Sequence, residues 1–164
     1  MNTFSRSLWA SVIATSFMTA AFFRLHKALP TKDKKPLPPA QLTESLRRKV
    51  TQFEGASDLH SNATMLAHYG YGFACAGIFS AVAPKVPGNA LAKGMAFGAG
   101  VWAASYFGLI PAINGRPQGP RMTAQRNGMM IAAHLIWGAA LGYADKELYQ
   151  RGNKMLDGRP DISS

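Results

Sequence analysis

Two histidines, His68 and His134, stand well inside stretches of sequence that carry no charge, whereas His26 and His60 lie at the edges of such stretches. Histidine titrates near neutrality, and its neutral ring both donates and accepts a hydrogen bond. The hydroxyls of Thr19 and Tyr106 fall in two further uncharged stretches. A layer made of Thr19, His68, Tyr106 and His134 has two chemistries open to it. In one, the four groups satisfy one another's hydrogen bonds and lock helices together, at roughly 0.6 kcal/mol per bond. In the other, the histidines handle protons or small ions. Membrane proton relays usually contain Asp or Glu as well, and none lies mid-stretch here. A metal site built from His68, His134 and Cys75 has no diagnostic spacing, so neither a metal nor a cofactor is expected. Cys75 itself reads as a small buried apolar side chain. Paired carboxylates, H-E-x-x-H, Gly-x-Ser-x-Gly and a P-loop are all missing from the sequence, and nothing in it proposes an enzyme.

The elements that must position this layer are written in the charge pattern. Of 164 residues, 16% are charged, against about 25% in soluble domains. The mean hydropathy of −0.03 is low for a membrane protein because the charges are clustered, not spread. None occurs from Ser7 to Phe23, Leu59 to Pro84, Gly94 to Gly115 or Asn127 to Ala144. Crossing the hydrocarbon core takes about 20 residues, with about 17 tolerated, and a soluble helix would show charges every turn on its outer face. The expected fold is therefore all-α, a single-domain integral membrane four-helix bundle with spans near residues 8–23, 62–82, 93–110 and 126–144. At about 1.5 Å per residue, His68 and His134 would sit roughly 9–12 Å below one surface, with Thr19 and Tyr106 near the same level. Ser11, Thr15 and Thr19 share one face of helix one at a spacing of four.

Between the spans the chain is basic. Residues 30–53 form a Pro- and Lys-rich loop followed by an amphipathic stretch from Pro39 to Phe53, in which Leu42, Leu46, Val50 and Phe53 recur at helical spacing. Arg47, Arg48 and Lys49 beside that stripe suit anionic lipid headgroups, although a solvated helix packed on the bundle would carry the same pattern. Residues 145–164 read as a polar, frayed tail. The net charge of +10 does not signal nucleic acid, because the aromatics lie inside the uncharged stretches and the cations between them. With four spans, the first and third loops carry eleven Lys and Arg against seven for the termini and second loop, which favours termini outside the cytoplasm. The first stretch also admits reading as a leader cleaved near Thr19-Ala20-Ala21, but the cations crowding its far end (Arg24, Lys27, Lys32, Lys34, Lys35) fit a retained anchor better.

Small residues recur four apart: Gly72 and Ala76; Gly94 and Gly98; Gly100, Ala104 and Gly108; Gly138 and Gly142. In lipid such ladders mark helix–helix contacts, and the Gly94/Gly98/Ala104/Gly108 face is a candidate for self-association. The segment from Asn62 to Gly72 resembles that from Asn127 to Gly138, each with a His one turn before a glycine. A duplicated helical hairpin would produce this.

The run Ala83-Pro84-Lys85, then Gly94, Pro111 and His134-Leu135-Ile136-Trp137, resembles the pattern of small bacterial inner-membrane proteins of the YagU type. The resemblance covers helix two onward and does not reach the Lys- and Pro-rich first loop. It implies a multi-pass protein of the bacterial inner membrane and carries over no catalytic residue. The function expected is that of a structural or interaction unit of a membrane, with a lipid bilayer, a second copy or another membrane protein as partner. A proton or small-ion transporter using His68 and His134 is the alternative.

Overall fold

The computed structural model describes residues 1–28, 30, 57–114 and 123–156, and every regular element among them is helical. The Pro- and Lys-rich loop with Arg47, Arg48 and Lys49, and the Gly/Pro/Arg loop after Asn114, lie outside the described residues.

Helix α1 spans Thr3–Ala28, longer at both ends than its uncharged stretch. It starts where Asn2 accepts a hydrogen bond from the Ser5 amide through its Oδ1 (2.8 Å), an N-cap that satisfies an orphan donor. His26 and Lys27 occupy its last turn, where cations complement the helix dipole. Over residues 6–17 its two faces are inverted relative to a soluble helix, whereas further on Met18 and Phe22 turn inward. The buried face includes Arg6, Ser7, Ser11 and Thr15, while Trp9 and Phe17 on the other side are 57% and 58% exposed. Trp9 and Phe17 outward with hydroxyls inward suit a surrounding medium less polar than the protein interior.

Helix α2 spans Ser57–Val82 and ends in a 3-10 turn, Ala83–Lys85, as Pro84 forbids continuation. Gly88 then takes φ +119°, a left-handed conformation that an L side chain rarely adopts. Helix α3, Ala90–Ala104, starts on an Asn89 cap whose Oδ1 accepts from the Leu91 amide (2.8 Å). Lys93 of α3 reaches back to the Ala83 and Val86 carbonyls (2.8 and 3.0 Å), so the turn between the two helices is held from its far side.

Helix three was expected to stop at Pro111. Instead α3 runs into a π-helical turn, Ser105–Leu109, and then into α4, Ile110–Asn114, with Pro111 inside the helical run. Proline clashes with the carbonyl four residues before it and lacks a donor for it. The wider π turn directly upstream relieves both problems, as such insertions do at kinks.

Helix α5 spans Ala124–Leu156. The expectation of a frayed tail from Asp145 is thereby corrected: the helix continues well past Ala144, and Asp145 is buried.

Helix α1 lies between α2 and α5, and α5 packs in turn on α3, giving the lateral order α2, α1, α5, α3. The α3–α5 seam is backbone on backbone. A Cβ at Gly94 would fall on the Gly138 carbonyl, one at Gly98 on the His134 carbonyl, and one at Gly142 on the Ala90 carbonyl. Three helices are long and apolar enough to cross a membrane: Thr3–Ala28, Met65–Lys85 and Ala90–Ala112.

Candidate functional site

Interior polar groups gather in two regions near opposite ends of the helices. The first was not anticipated. Arg6, at the start of α1, is only 4% exposed. Its Nε donates to Asp145 Oδ1 of α5 (2.9 Å) and its Nη2 to the Ser80 carbonyl of α2 (2.7 Å). Ser80 Oγ donates to the same carboxylate oxygen (2.6 Å). The guanidinium also lies 5.0 Å from the centroid of the Tyr149 ring, one turn beyond Asp145. A single ion pair thus ties three helices together. Breaking such a pair from one side strands a buried charge, so each partner depends on the other. Sequence reasoning missed it because Arg6 and Asp145 served only as the outer limits of two uncharged stretches. The available signal was their opposite sign at those limits, on helices that an up-and-down bundle places antiparallel.

Between the two regions runs the hydroxyl face of α1. Trp137 Nε1 of α5 donates to Thr15 Oγ1 (3.3 Å), and Thr15 leaves no room for a Cβ at Gly72 of α2, which would lie 2.7 Å from its oxygen. Ser7 donates to its own helix at the Phe4 carbonyl (2.9 Å).

The second region contains the expected layer, in part. His134 is buried, and its Nδ1 lies 2.8 Å from the Met130 carbonyl, an acceptor that requires the proton on that nitrogen. The Tyr106 ring meets the His134 imidazole edge to face, with centroids 6.3 Å apart, and stacks on Trp102 at 5.8 Å. The other two members make their hydrogen bond and ring contact within their own helices. Thr19 is half-buried and donates to the Thr15 carbonyl of its own helix (2.8 Å), and His68 is half-buried with its ring edge-on to its neighbour Tyr69. The layer is not flat either. Gly98 of α3 is the residue opposite the His134 backbone, so Tyr106, two turns further along, lies nearer the end at which α5 begins and reaches back with its ring, as helical side chains lean toward the N-terminus. Next to it, at the π turn, Ser105 Oγ pairs with the Tyr71 hydroxyl of α2 (2.9 Å).

The glycine ladders divide. Gly94, Gly98, Gly138 and Gly142 are consumed in the α3–α5 seam and Gly72 in the α1–α2 contact. Ala104 and Gly108 are exposed, and a Cβ on Gly100 or Gly108 would meet nothing within 4 Å. The four residues expected on one self-association face therefore lie on two faces. Among the described residues, no group of three His, Cys, Asp or Glu side chains comes together to hold a metal.

Comparison with known proteins finds no matching family model, no curated protein and no solved structure.

Proposed function

We propose that this chain is a four-crossing membrane protein with a structural or interaction role, a membrane-assembly unit and not an enzyme. The observation that carries the reading is the first part of α1, where Arg6, Ser7, Ser11 and Thr15 turn inward while Phe4, Trp9 and Phe17 turn outward. Helix α5 is the fourth crossing. It packs along both α1 and α3, two helices long and apolar enough to span, which supports a crossing beside them. The hairpin duplication is supported by the matching glycines: Gly72 packs on α1, the helix preceding its own, and Gly138 on α3, in the same relation. The bacterial inner membrane, with termini outside, follows from the Lys and Arg count and from the resemblance to YagU-type proteins. Gly94 and Gly98 are already used within the chain, which removes them from any self-association face.

The structural role is favoured over transport because Arg6 and Asp145 bond to each other, Trp137 to Thr15, and Thr19 and His134 to backbone carbonyls, whereas a conduction path needs a polar lining free to exchange partners. Proton flux into vesicles carrying the purified protein, under an imposed pH gradient, tests this. The expected flux equals that of empty vesicles. A flux above that level, abolished in the His68→Gln/His134→Gln variant without loss of folding, would establish the transporter reading instead.

A further inference from the structure

The Lys and Arg balance across the proposed four crossings is only eleven to seven, a weak instruction for insertion, since orientation is set by the excess of cations on one side. The fold contains a stronger one. Arg6 and Asp145 are 139 residues apart in sequence, yet share a hydrogen-bonded ion pair at one end of the bundle. Their side chains are 5% and 8% exposed, so neither charge has bulk water to fall back on. Helix α2 is drawn into the same point by Ser80, which offers its carbonyl to Arg6 and its hydroxyl to Asp145. Helices α2 and α5 are separated by α1 in the lateral order, and these side-chain bonds tie the end of α2 directly to α5.

We propose that Arg6 and Asp145 form a topology lock, which closes only when the start of α1, the end of α2 and the middle of α5 have reached the same side of the membrane. In a chain with one helix inverted or not inserted, Arg6 and Asp145 end on opposite sides or at different depths, and each is left as an unpaired charge at the rim of an apolar segment. Unpaired charges there are disfavoured strongly enough to discriminate. The lock is completed late, because its second half is made after most of the chain. Until then α1 holds Arg6 without its partner. The same-sign alternatives (Lys85, Lys93 and Lys146 near that end) give Arg6 no partner, so Asp145 is the acidic group that completes the node.

This inference rests on the four-crossing reading, and the experiment separates the two. In a Cys75→Ser background, single cysteines are introduced at Asn2 or Gln150 of the full chain. They are labelled with a membrane-impermeant thiol reagent in sealed vesicles of known orientation. With Arg6 and Asp145 intact, both positions should label from the same side. Labelling from opposite sides would overturn the four-crossing reading itself. Arg6→Asp alone and Asp145→Arg alone place like charges together. Each should lower the amount of full-length protein by at least about tenfold, a part of the penalty for an unpaired buried charge, or make the two ends label from different sides. The double exchange, Arg6→Asp with Asp145→Arg, should restore same-side labelling and recover much of the lost abundance, although the Ser80 carbonyl loses its guanidinium donor. Single variants with normal abundance and same-side ends would overturn the lock. So would a double exchange no better than the singles.

Discussion

The two polar ends of the molecule are built on different terms. At one end, Arg6, Asp145 and Ser80 form a charged node in which every contact runs between helices. At the other, His134 and Thr19 are each bonded to a carbonyl of their own helix, ring contacts join Tyr106 to His134, and the bond between helices is the uncharged one of Tyr71 with Ser105. A group that satisfies itself within its helix contributes little to which helix lies beside it. A group that needs a partner from another helix specifies that partner. The charged node therefore specifies helix partners more strongly than His134 and Thr19 do.

The largest expected effect falls on the node. Asp145→Leu strands the Arg6 guanidinium among buried neighbours and should cost about 3–5 kcal/mol, read as a large drop in thermal unfolding temperature in detergent. A loss no greater than that of a histidine substitution would erase the distinction between the two ends.

The seam between α3 and α5 comes next, and it permits a test on matched residues. Gly94→Ala drives a methyl into the Gly138 carbonyl, a contact that only backbone displacement can relieve, for roughly 1–3 kcal/mol. Gly100→Ala, on the same helix with nothing within 4 Å of its new Cβ, should leave stability unchanged. If both substitutions prove silent, the seam is looser than the fold implies; if both are costly, the outer face of α3 is also a packed surface.

Much of this architecture was legible in the sequence, and the reason differs element by element. The helices apolar enough to span are visible because an apolar surround leaves no helix face for charge, so Ser7–Phe23 and Gly94–Gly115 stand out without any periodicity. The small-residue ladders pointed to close contact, but spacing alone assigns no partner: Gly94 and Gly98 share a face with Gly138 and Gly142, while Gly100 and Gly108, in the same helix, share none. The node was illegible because a charge at the end of an apolar stretch normally reaches the headgroups, and nothing local in Arg6 or Asp145 distinguishes pairing from snorkelling. The layer was half legible. Depth follows from rise per residue, yet the side a residue faces depends on helix register, which is why Thr15 and not Thr19 meets α5.

Two tryptophans sharpen the comparison further down the scale. Trp137 Nε1 donates to Thr15, whereas Trp102 Nε1 is buried and has no hydrogen-bond partner among the described residues. Trp137→Phe should lose about 0.6 kcal/mol with its interhelical bond. Trp102→Phe deletes a donor whose desolvation is uncompensated and keeps a ring to stack on Tyr106, so it should be neutral or stabilising. Equal losses at both sites would mean that ring volume, not hydrogen bonding, sets the cost.

The smallest effects belong to the histidines. Glutamine at position 134 can still donate to the Met130 carbonyl, since its amide reaches the same turn of its own helix. What it gives up is the edge-to-face contact with Tyr106, so His134→Gln should cost no more than about 0.5–1.5 kcal/mol. His68→Gln should cost less again, because His68 is half-buried and its ring contact is with the adjacent Tyr69, a neighbour that the chain supplies in any fold. Thermal unfolding of the two single variants and the double variant measures the order directly, and the double should equal the sum of the singles, as independent sites do. A double variant markedly worse than that sum would mean that the two histidines act as one unit. The second region would then also hold helices together, and the contrast with the Arg6–Asp145 node would narrow.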